Sequence, residues 1–245
     1  MITGIGTGNG VGLIRGLFPS TASAFENSKS VYFDGVNDYI SLTPPAALQL
    51  DFNVNVYSIS FWIKWVSGNV TAAFLGNSPN SVTRGWQIGK VGSAVYFACS
   101  FGGGNRIIWQ STATAAFDGG WHHIAFTMGT AGSGASCQLY LDGAPMTNSY
   151  VIDALTATTS TAADIEAGKG PTAGTYEEMY IDELAIFDSG LSAADVLAIY
   201  NSGCPADLSS YSPISWWRFE DDYTDEEGVQ DFTATGASIS SDIPC

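Results

Sequence analysis

The chain has 245 residues, of which 45% are hydrophobic and 13% charged, and its 24 acidic and 8 basic side chains give a formal net charge of −16. Contacts with the phosphates of nucleic acids or of anionic membranes need Lys and Arg, so this charge excludes both as main partners. No basic residue precedes Arg15 and no stretch approaches the roughly 18 apolar residues of a membrane helix, which predicts a chain without a signal peptide, made in the cytoplasm.

Residues 1–28 are rich in Gly, Ser and Thr and are predicted to form an extended N-terminal arm. The run GIGTGNGVG within this segment never satisfies the spacing G-x-G-x-x-G and follows no strand. A dinucleotide site is therefore not expected there, and we expect a flexible or docking arm instead.

From residue 29 onward, apolar and polar residues alternate with a period of two, which predicts β-strands. The clearest case is YSISFWIKW, in which every second residue from Tyr57 to Trp65 is apolar and lies on one face. Turn sequences such as GNSPN and FGGGN separate further strand candidates: 30–34, 38–42, 84–90, 94–101, 105–111, 121–129, 136–142 and 178–188. The stretches 154–163 and 168–175 are expected to be long loops.

One helix is predicted near the C-terminus, in GLSAADVLAIYNSGCP. Ser192 is placed to cap it, and Asp195 three residues later completes a capping box. Gly203 and Pro205 are expected to end it. Its apolar positions are expected to pack against the sheets: Val196, Ile199 and Tyr200.

About ten strands, one short helix and no alternation of strands with helices predict an all-β fold, an antiparallel β-sandwich or jelly roll. We expect three parts: the arm at 1–28, the sandwich domain at 29–203, and a C-terminal extension at 204–245. The extension is expected to pack on the sandwich and to contribute its own strand, ISWWRFE.

The four cysteines are spread too widely for a zinc site. Cys99 and Cys137 alternate with apolar residues, which predicts buried thiols. Cys204 and Cys245 lie outside such patterns and could pair with each other or with another chain.

Five motifs stand in a fixed order along the chain: SVYFDGVNDYISL, YSISFWIKW, GWHHIAFT, LYLDG and YIDELAIFDSGLSAADVLAIYNSG. In this order residues 29–203 resemble the laminin-G-like branch of the concanavalin A-like sandwiches. The resemblance implies a concanavalin A-like jelly roll of two antiparallel sheets.

The C-terminal segment DLSSYSPISWWRFEDDYTDEEGVQDFTATGASISSDIP resembles the closing segment of laminin-G-like structural proteins of tailed bacteriophages, in which a WWRxxD motif precedes an acidic turn. This resemblance implies a non-enzymatic virion protein, such as a capsid decoration or head-appendage protein. Its partners would be other virion proteins, docked through the arm or the extension, and copies of itself in a homo-oligomer. Its location would be the virion, after synthesis in the host cytoplasm.

Related sandwiches often hold a calcium ion near the rim, bound by carboxylates and backbone carbonyls. The resemblance therefore implies three candidate calcium ligands: Asp34 and Asp38 in FDGVNDY, and Asp182 in YIDEL. The alternative is that Asp34 and Asp38 only accept hydrogen bonds from turn amides.

His122 and His123 are the only histidines, and neighbours in a strand point to opposite faces, so the two are not expected to share a metal. His122 shares its face with Ile124, Phe126 and Met128, so one imidazole is expected to face the core and to hydrogen-bond there. Neither is predicted to act in catalysis.

Glycoside hydrolysis needs two carboxyl groups held across a sugar-binding cleft. Glucanases of this general fold resemble one another through an E-x-D-x-x-E strand, which this chain lacks. Asp182 and Glu183 are neighbours, expected on opposite faces, and the six acids at 220–227 crowd a turn that is expected to be hydrated and able to bind a cation. The chain also has no G-x-S-x-G nucleophile elbow, so we do not expect an enzyme.

The alternative function is a carbohydrate-binding adhesion module, for example on a tail fibre, that recognises a host-surface glycan. Exposed aromatic side chains such as Trp62, Trp86 or Trp109 could stack on sugar rings, although packing in a sandwich core explains these residues equally well.

Overall fold

The computed structural model describes residues 25–78, 83–170 and 175–245. These residues form sixteen β-strands and one α-helix, α1 (Ala193–Tyr200). The strands are β1 Ser30–Asp34, β2 Tyr39–Leu42, β3 Ser58–Ser67, β4 Thr71–Gly76, β5 Gly85–Val91, β6 Ala94–Gly102, β7 Asn105–Ser111, β8 Trp121–Met128, β9 Cys137–Leu141, β10 Ala144–Pro145, β11 Asn148–Asp153, β12 Ile165–Ala167, β13 Glu178–Phe187, β14 Ser215–Trp217, β15 Thr233–Thr235 and β16 Ser238–Ser240. The predicted arm at 1–28 falls outside the described residues up to position 24.

The strands pair into two antiparallel sheets of eight strands each. The first sheet has the order β10-β9-β8-β3-β13-β1-β16, and β14 also pairs with β13. The second sheet has the order β11-β7-β6-β5-β4-β12-β2-β15. The prediction of an antiparallel all-β sandwich with one short helix is confirmed.

The core lies between the sheets and follows the alternation in the sequence. Along β3, Ile59, Phe61, Ile63 and Trp65 are buried there. Near the centre, the rings of Phe97 and Phe126, from opposite sheets, stack with their centroids 3.6 Å apart. Burying each such side chain contributes about 1.5–3 kcal/mol, so the apolar residues at every second position stabilise the packing of the two sheets.

The outer face of the first sheet is covered by a second apolar layer. Its members are Ala125, Tyr140, Ala185, Phe187, Leu191, Val196, Ile199, Leu208 and Trp216. Helix α1 begins with the predicted capping box, because the Ser192 side chain accepts from the Asp195 amide and the Asp195 side chain accepts from the Ser192 amide. The helix ends at Asn201, which adopts a left-handed conformation (φ 46°) two residues before the predicted glycine.

The C-terminal extension is more deeply integrated than its one predicted strand indicates. It supplies β14 and β16 to the first sheet and β15 to the second. Trp217 is fully buried and donates its indole N–H to the Gln230 carbonyl, 2.9 Å away. The extension therefore links the edges of both sheets.

Cys204 and Cys245 form a disulfide with their Cα atoms 5.4 Å apart, which decides between the two pairings that the sequence left open. The bond closes a separation of 41 residues and contributes about 3–4 kcal/mol by loop entropy. Cys99 and Cys137 are buried free thiols, as predicted.

Among the residues that the structure describes, no helix has the length and apolar character needed to cross a membrane.

Candidate functional site

A polar recess of about 400 Å³ lies on the second sheet, over β4 and β12. It is lined by Ala73, Leu75, Gly76, Asn77, Ser78, Ala163, Asp164, Glu166, Lys169 and Gly170. Ala73 and Glu166 alternate along their strands with core residues, which places both on the outer face of the sheet. Gly76 pairs with Glu166 across the floor of the recess. The recess is therefore formed by the sheet itself and by the segments that follow β4 and β12.

A buried amide side chain that lines this recess, and a second one on the neighbouring strand β5, each lack a hydrogen-bond partner for one atom. Asn77 is 5% exposed, and its Oδ1 accepts from the Trp86 amide at 2.9 Å while its Nδ2 donates to no described group. Gln87, which pairs with Gly76, is 2% exposed and its Oε1 accepts from none. Leaving a buried polar atom unpaired costs about 1–3 kcal/mol, so each of these atoms lowers the stability of the fold unless a partner is supplied.

Charged groups line the side of the recess formed by the segment around β12. Lys169 donates to Glu166 at 2.6 Å, and this hydrogen bond raises the pKa of Lys169. Asp164 accepts from the Thr43 hydroxyl at 2.8 Å. The recess thus offers one ammonium and two carboxylates beside the unpaired amide donor of Asn77.

The three predicted calcium ligands do not come together. Asp34 and Asp38 share a turn, where Asp34 accepts from the Val36 amide at 2.8 Å and Asp38 accepts from the Asp34 amide at 3.1 Å. Asp182 lies along β13, beyond the pairing of Val31 with Ile181, and accepts from Asn27. No group of three or more His, Cys, Asp or Glu side chains in the described part of the chain is arranged to hold a metal ion. Calcium binding stays a prediction.

The tryptophans that were candidates for stacking on a sugar are all buried. Trp62, Trp86 and Trp109 are 3%, 0% and 2% exposed. Trp86 and Trp109 belong to the core between the sheets, and Trp62 stacks on Tyr200 of α1 at 5.8 Å. Of the two explanations that the sequence left open for these three residues, packing is the one that the structure confirms.

The two histidines exchange the roles expected from the sequence. His123, not His122, is fully buried: its Nε2 lies 2.8 Å from Ser60 Oγ, its ring packs against Trp62, and burial lowers its pKa to about 4. His122 is the second residue of β8, with Nδ1 2.8 Å from Asp142 and Nε2 3.1 Å from Asp118. The hydrogen bond to Asp142 raises the pKa of His122. The sequence predicted the wrong histidine to be buried, because α1 covers the outer face of the first sheet, on which His123 lies.

Asp182 and Glu183 lie on the same face, which corrects the expectation of opposite faces. The register of β13 shifts after Asp182, and Glu183 has a positive φ of 49°, so this bulge resets the alternation. Glu183 accepts from the Trp216 indole at 2.5 Å and pairs with Arg218 at 3.3 Å. Burial raises the pKa of Glu183 to about 8 and that of Asp182 well above its usual range. Both residues are buried, Asp182 at 0% and Glu183 at 3% exposure.

The acidic turn after the two tryptophans is only partly the hydrated surface that the sequence predicted. Asp225 is buried and accepts from the backbone amides of Trp216, Glu227, Val229 and Gln230. This carboxylate therefore organises the turn, while Asp221, Glu226 and Glu227 are exposed.

Three solved structures with the same fold illustrate the likeness. A candidate carbohydrate-binding protein from Bacteroides ovatus aligns with a TM-score of 0.63 at 15% identity, over 89% of this chain and 60% of that one. The binding domain of Paraclostridial Mosquitocidal Protein 1 aligns at 0.56 and 16% identity, over 71% and 43%. The heptameric SAP-like pentraxin of Limulus polyphemus aligns at 0.55 and 12% identity, over 89% and 97%. At these identities the likeness shows the fold alone, and the chain spans less than two thirds of the first two structures.

A comparison with curated proteins finds no match for this chain. The laminin G-type model of the concanavalin A-like lectin/glucanases superfamily matches residues 34–197, which is more than half of the chain. The laminin-G-like resemblance of the five ordered motifs is thereby confirmed. This chain belongs to the concanavalin A-like lectin/glucanases superfamily.

Proposed function

We propose that this chain is a non-catalytic carbohydrate-binding module and that the recess over β4 and β12 is its binding site. The observation that carries this proposal is a 400 Å³ recess that brings together the buried amide of Asn77, whose Nδ2 donor is unpaired, and the charged groups of Asp164, Glu166 and Lys169. The lining thus offers both hydrogen-bond donors and acceptors. A sugar hydroxyl donates and accepts at once, so a glycan can bond to both kinds of group where a purely anionic or cationic ligand cannot.

The remaining lining of the recess suits the same ligand class. Glu166 and Asp164 accept from hydroxyls, Lys169 donates to them, and Ala73 with Gly76 leaves room for a ring to approach the sheet. Two carboxylates against one ammonium give a local charge of −1, which disfavours sulfated or sialylated glycans. We therefore expect a neutral oligosaccharide.

Binding without catalysis is supported by the placement of the acids. The buried carboxyl pair, Asp182 and Glu183, lies under the extension on the first sheet, away from the recess. Glycoside hydrolysis needs a carboxyl pair flanking the bound sugar on either side of the scissile bond. At the recess, Glu166 is already paired with Lys169 at 2.6 Å, and among the described lining residues no second carboxyl group is placed across the recess from it.

The test is a glycan array with neutral and acidic oligosaccharides, followed by calorimetric titration of the best ligand. Asn77→Asp keeps the Oδ1 that accepts from Trp86 but replaces the unpaired donor by an acceptor, so at least a tenfold loss of affinity is expected. The matched control is Asn37→Ala, at an exposed turn position, which should bind as the unaltered protein does. Absence of any neutral-glycan binding, or equal binding by the Asn77→Asp variant, contradicts the proposal.

A second candidate is a structural protein of a tailed-bacteriophage virion, either a capsid decoration protein or a head appendage. It is favoured by the resemblance of residues 207–244 to the closing segment of such proteins. The two candidates are compatible, since a protein displayed on a particle can also bind glycan.

The virion proposal predicts that the chain copurifies with intact particles from infected cells and forms a symmetric homo-oligomer in solution. Mass spectrometry of gradient-purified particles and light scattering of the purified protein test the two parts. A monomeric protein found only in the soluble lysate contradicts this second candidate and leaves the glycan proposal standing.

A further inference from the structure

The outer face of the second sheet continues beyond the recess onto β2 and β15. One cross-strand row joins the floor of the recess to this region through four neighbouring strands: Gly76 of β4, Glu166 of β12, Ser41 of β2 and Thr233 of β15. The row lies on the outer face, because the sequence neighbours of Ser41 and Glu166, Ile40 and Ile165, are core residues. A ligand held in the recess can therefore extend along the sheet toward β2.

Two tyrosines stand beside this row. Tyr39 precedes Ser41 by two positions on β2 and so lies on the same face, and Tyr176 forms a backbone bridge with Lys169. The centroids of the two tyrosine rings are 6.5 Å apart, with the ring planes at 35° to one another. Both side chains are partly exposed, and neither belongs to the core or to the apolar layer of the first sheet that the described residues form. The fold thus leaves an aromatic pair next to the recess.

Lys169 connects the recess with this aromatic pair. It lines the recess, its Nζ donates to Glu166 at 2.6 Å, and the same Nζ lies 5.0 Å from the ring centroid of Tyr39. An ammonium group has three N–H donors, and here a carboxylate and an aromatic ring both attract it. Its position at the boundary makes it a donor to ligand groups on either side.

An aromatic pair beside such a donor suits a sugar ring. The face of an aromatic ring carries partial negative charge, which attracts the C–H bonds of an apolar surface. A pyranose whose hydroxyls lie in the plane of the ring exposes C–H bonds on its faces and hydroxyls at its edge. Such a ring can pack against the tyrosines while its edge bonds to Lys169. A purely apolar ligand would instead take water from the ammonium and the carboxylate of Glu166 without replacing its hydrogen bonds.

The first sheet carries a comparable set of side chains in different surroundings. The rings of Tyr32 and Tyr180 are 4.7 Å apart, and Lys64 Nζ lies 5.3 Å from the centroid of Tyr180. There the Tyr32 hydroxyl donates to Glu178 at 3.3 Å, and Lys64 donates to Asp242 at 2.6 Å. None of these residues lines the recess. This set therefore provides a matched control for an aromatic pair without a neighbouring binding site.

We propose that Tyr39 and Tyr176 form a second subsite, which binds the pyranose residue next to the one held in the recess. This inference rests on the proposed function and adds that the ligand is a chain of sugar residues whose hydroxyls lie in the ring plane. One residue of the chain bonds to Asn77 and the charged groups of the recess. Its neighbour packs against the two tyrosine rings, and Lys169 lies between the two residues.

NMR titration of the full chain with glucose, cellobiose and cellotetraose tests the proposal. All three are neutral sugars with hydroxyls in the ring plane, and the side-chain amide signal of Asn77 reports occupation of the recess. Cellobiose and cellotetraose should bind about tenfold more tightly than glucose, because only they reach the tyrosines. Tyr176→Ala should remove this gain, and Tyr180→Ala, in the matched set on the first sheet, should keep it.

Equal affinities of the wild-type chain for glucose and cellotetraose overturn the second subsite and leave the proposed function standing. This comparison needs no variant, so it decides even if Tyr176→Ala fails to fold. A gain that survives Tyr176→Ala at its full size also overturns the inference. If none of the three sugars shifts the Asn77 signal, the inference is wrong, and the proposed function fails with it only when the array of neutral glycans is also without a ligand.

Discussion

The outer faces of the two sheets are built in different ways. On the first sheet, α1 and the C-terminal extension lie over an apolar layer, and two buried polar groups below them have partners inside the chain: Glu183 with Trp216 and Arg218, and His123 Nε2 with Ser60. On the second sheet, the recess over β4 and β12 is open and lined in part by charged side chains. One face is thus covered by the chain, and the other offers polar groups to a ligand. Residues of the first face should govern stability, and those of the second should govern binding.

The largest expected effect is the removal of the Trp216 side chain from the covered face. Trp216→Ala deletes a buried ring and the donor of Glu183, and should lower the free energy of unfolding by about 3–5 kcal/mol. Urea titration followed by fluorescence measures this loss. Leu197→Ala, at an exposed position of α1, should change stability by less than about 0.5 kcal/mol. Equal effects of the two substitutions would break the distinction between covered and exposed positions.

Reduction of the Cys204–Cys245 disulfide should have the next largest effect. Opening this cross-link frees the end of the extension and should cost about 3–4 kcal/mol. Urea titrations with and without a phosphine reductant provide the measurement. The double variant Cys204→Ser/Cys245→Ser should be insensitive to the reductant, whereas a wild-type protein equally insensitive would argue against the bond.

The buried carboxyl pair should make stability fall with rising pH. The folded-state pKa of Glu183, about 8, lies above the unfolded value, so the folded protein binds more protons between about pH 4 and pH 8. Stability is highest below the unfolded pKa and is lost as pH rises through the folded pKa. The groups facing the pair are Arg218, Trp216, Asn27 and Glu220.

The substitution Glu183→Gln removes one of the two buried carboxyl groups whose pKa is raised. We expect a flatter pH profile and a gain on the order of 2 kcal/mol above pH 8. Thermal unfolding from pH 4 to pH 9 checks both. A variant whose profile runs parallel to that of the wild type would show that Glu183 is ionised in the folded protein.

The smallest stability effect is expected at the recess. Lys169→Met removes a partly exposed ion pair with Glu166 and should lower stability by less than about 1 kcal/mol. The same variant should bind the array's best neutral glycan more weakly. A large loss of stability in this variant would mean that residues of the recess also stabilise the fold. The two faces would then not differ in the way proposed.

The sequence predicted the elements whose local signals are strong. The alternation in β3 and the capping box of α1 each carry their information within a few residues, and both are present as expected. Strands such as β12 (Ile165–Ala167) and β16 (Ser238–Ser240) were missed, because three residues hold too little pattern to be read. Their pairing comes from neighbours far away in the chain.

The candidate site was much less accessible to sequence reasoning. Asn77 and Gln87 are ordinary amides in the sequence, and only burial without partners distinguishes them. The bulge at Glu183 depends on a residue with left-handed backbone conformation. The burial of His123 depends on the helix that covers it. Neither feature produces a two-residue pattern in the sequence. Asp225 could have been suspected, since Asp before a Glu-Glu-Gly turn often accepts turn amides.

The pairing of β1 with β16 joins Ser30 to Ser240, 210 positions apart (240 − 30). One edge of β1 therefore stays unpaired until β16 has been synthesised. Long-range pairings of this kind slow folding, because the entropy of closing a very large loop is lost before any stabilising contact forms. The first sheet is therefore complete only after β16 has been made, and a chain interrupted before β14 would expose the edge of β1 and the part of the apolar layer that Trp216 covers to neighbouring chains.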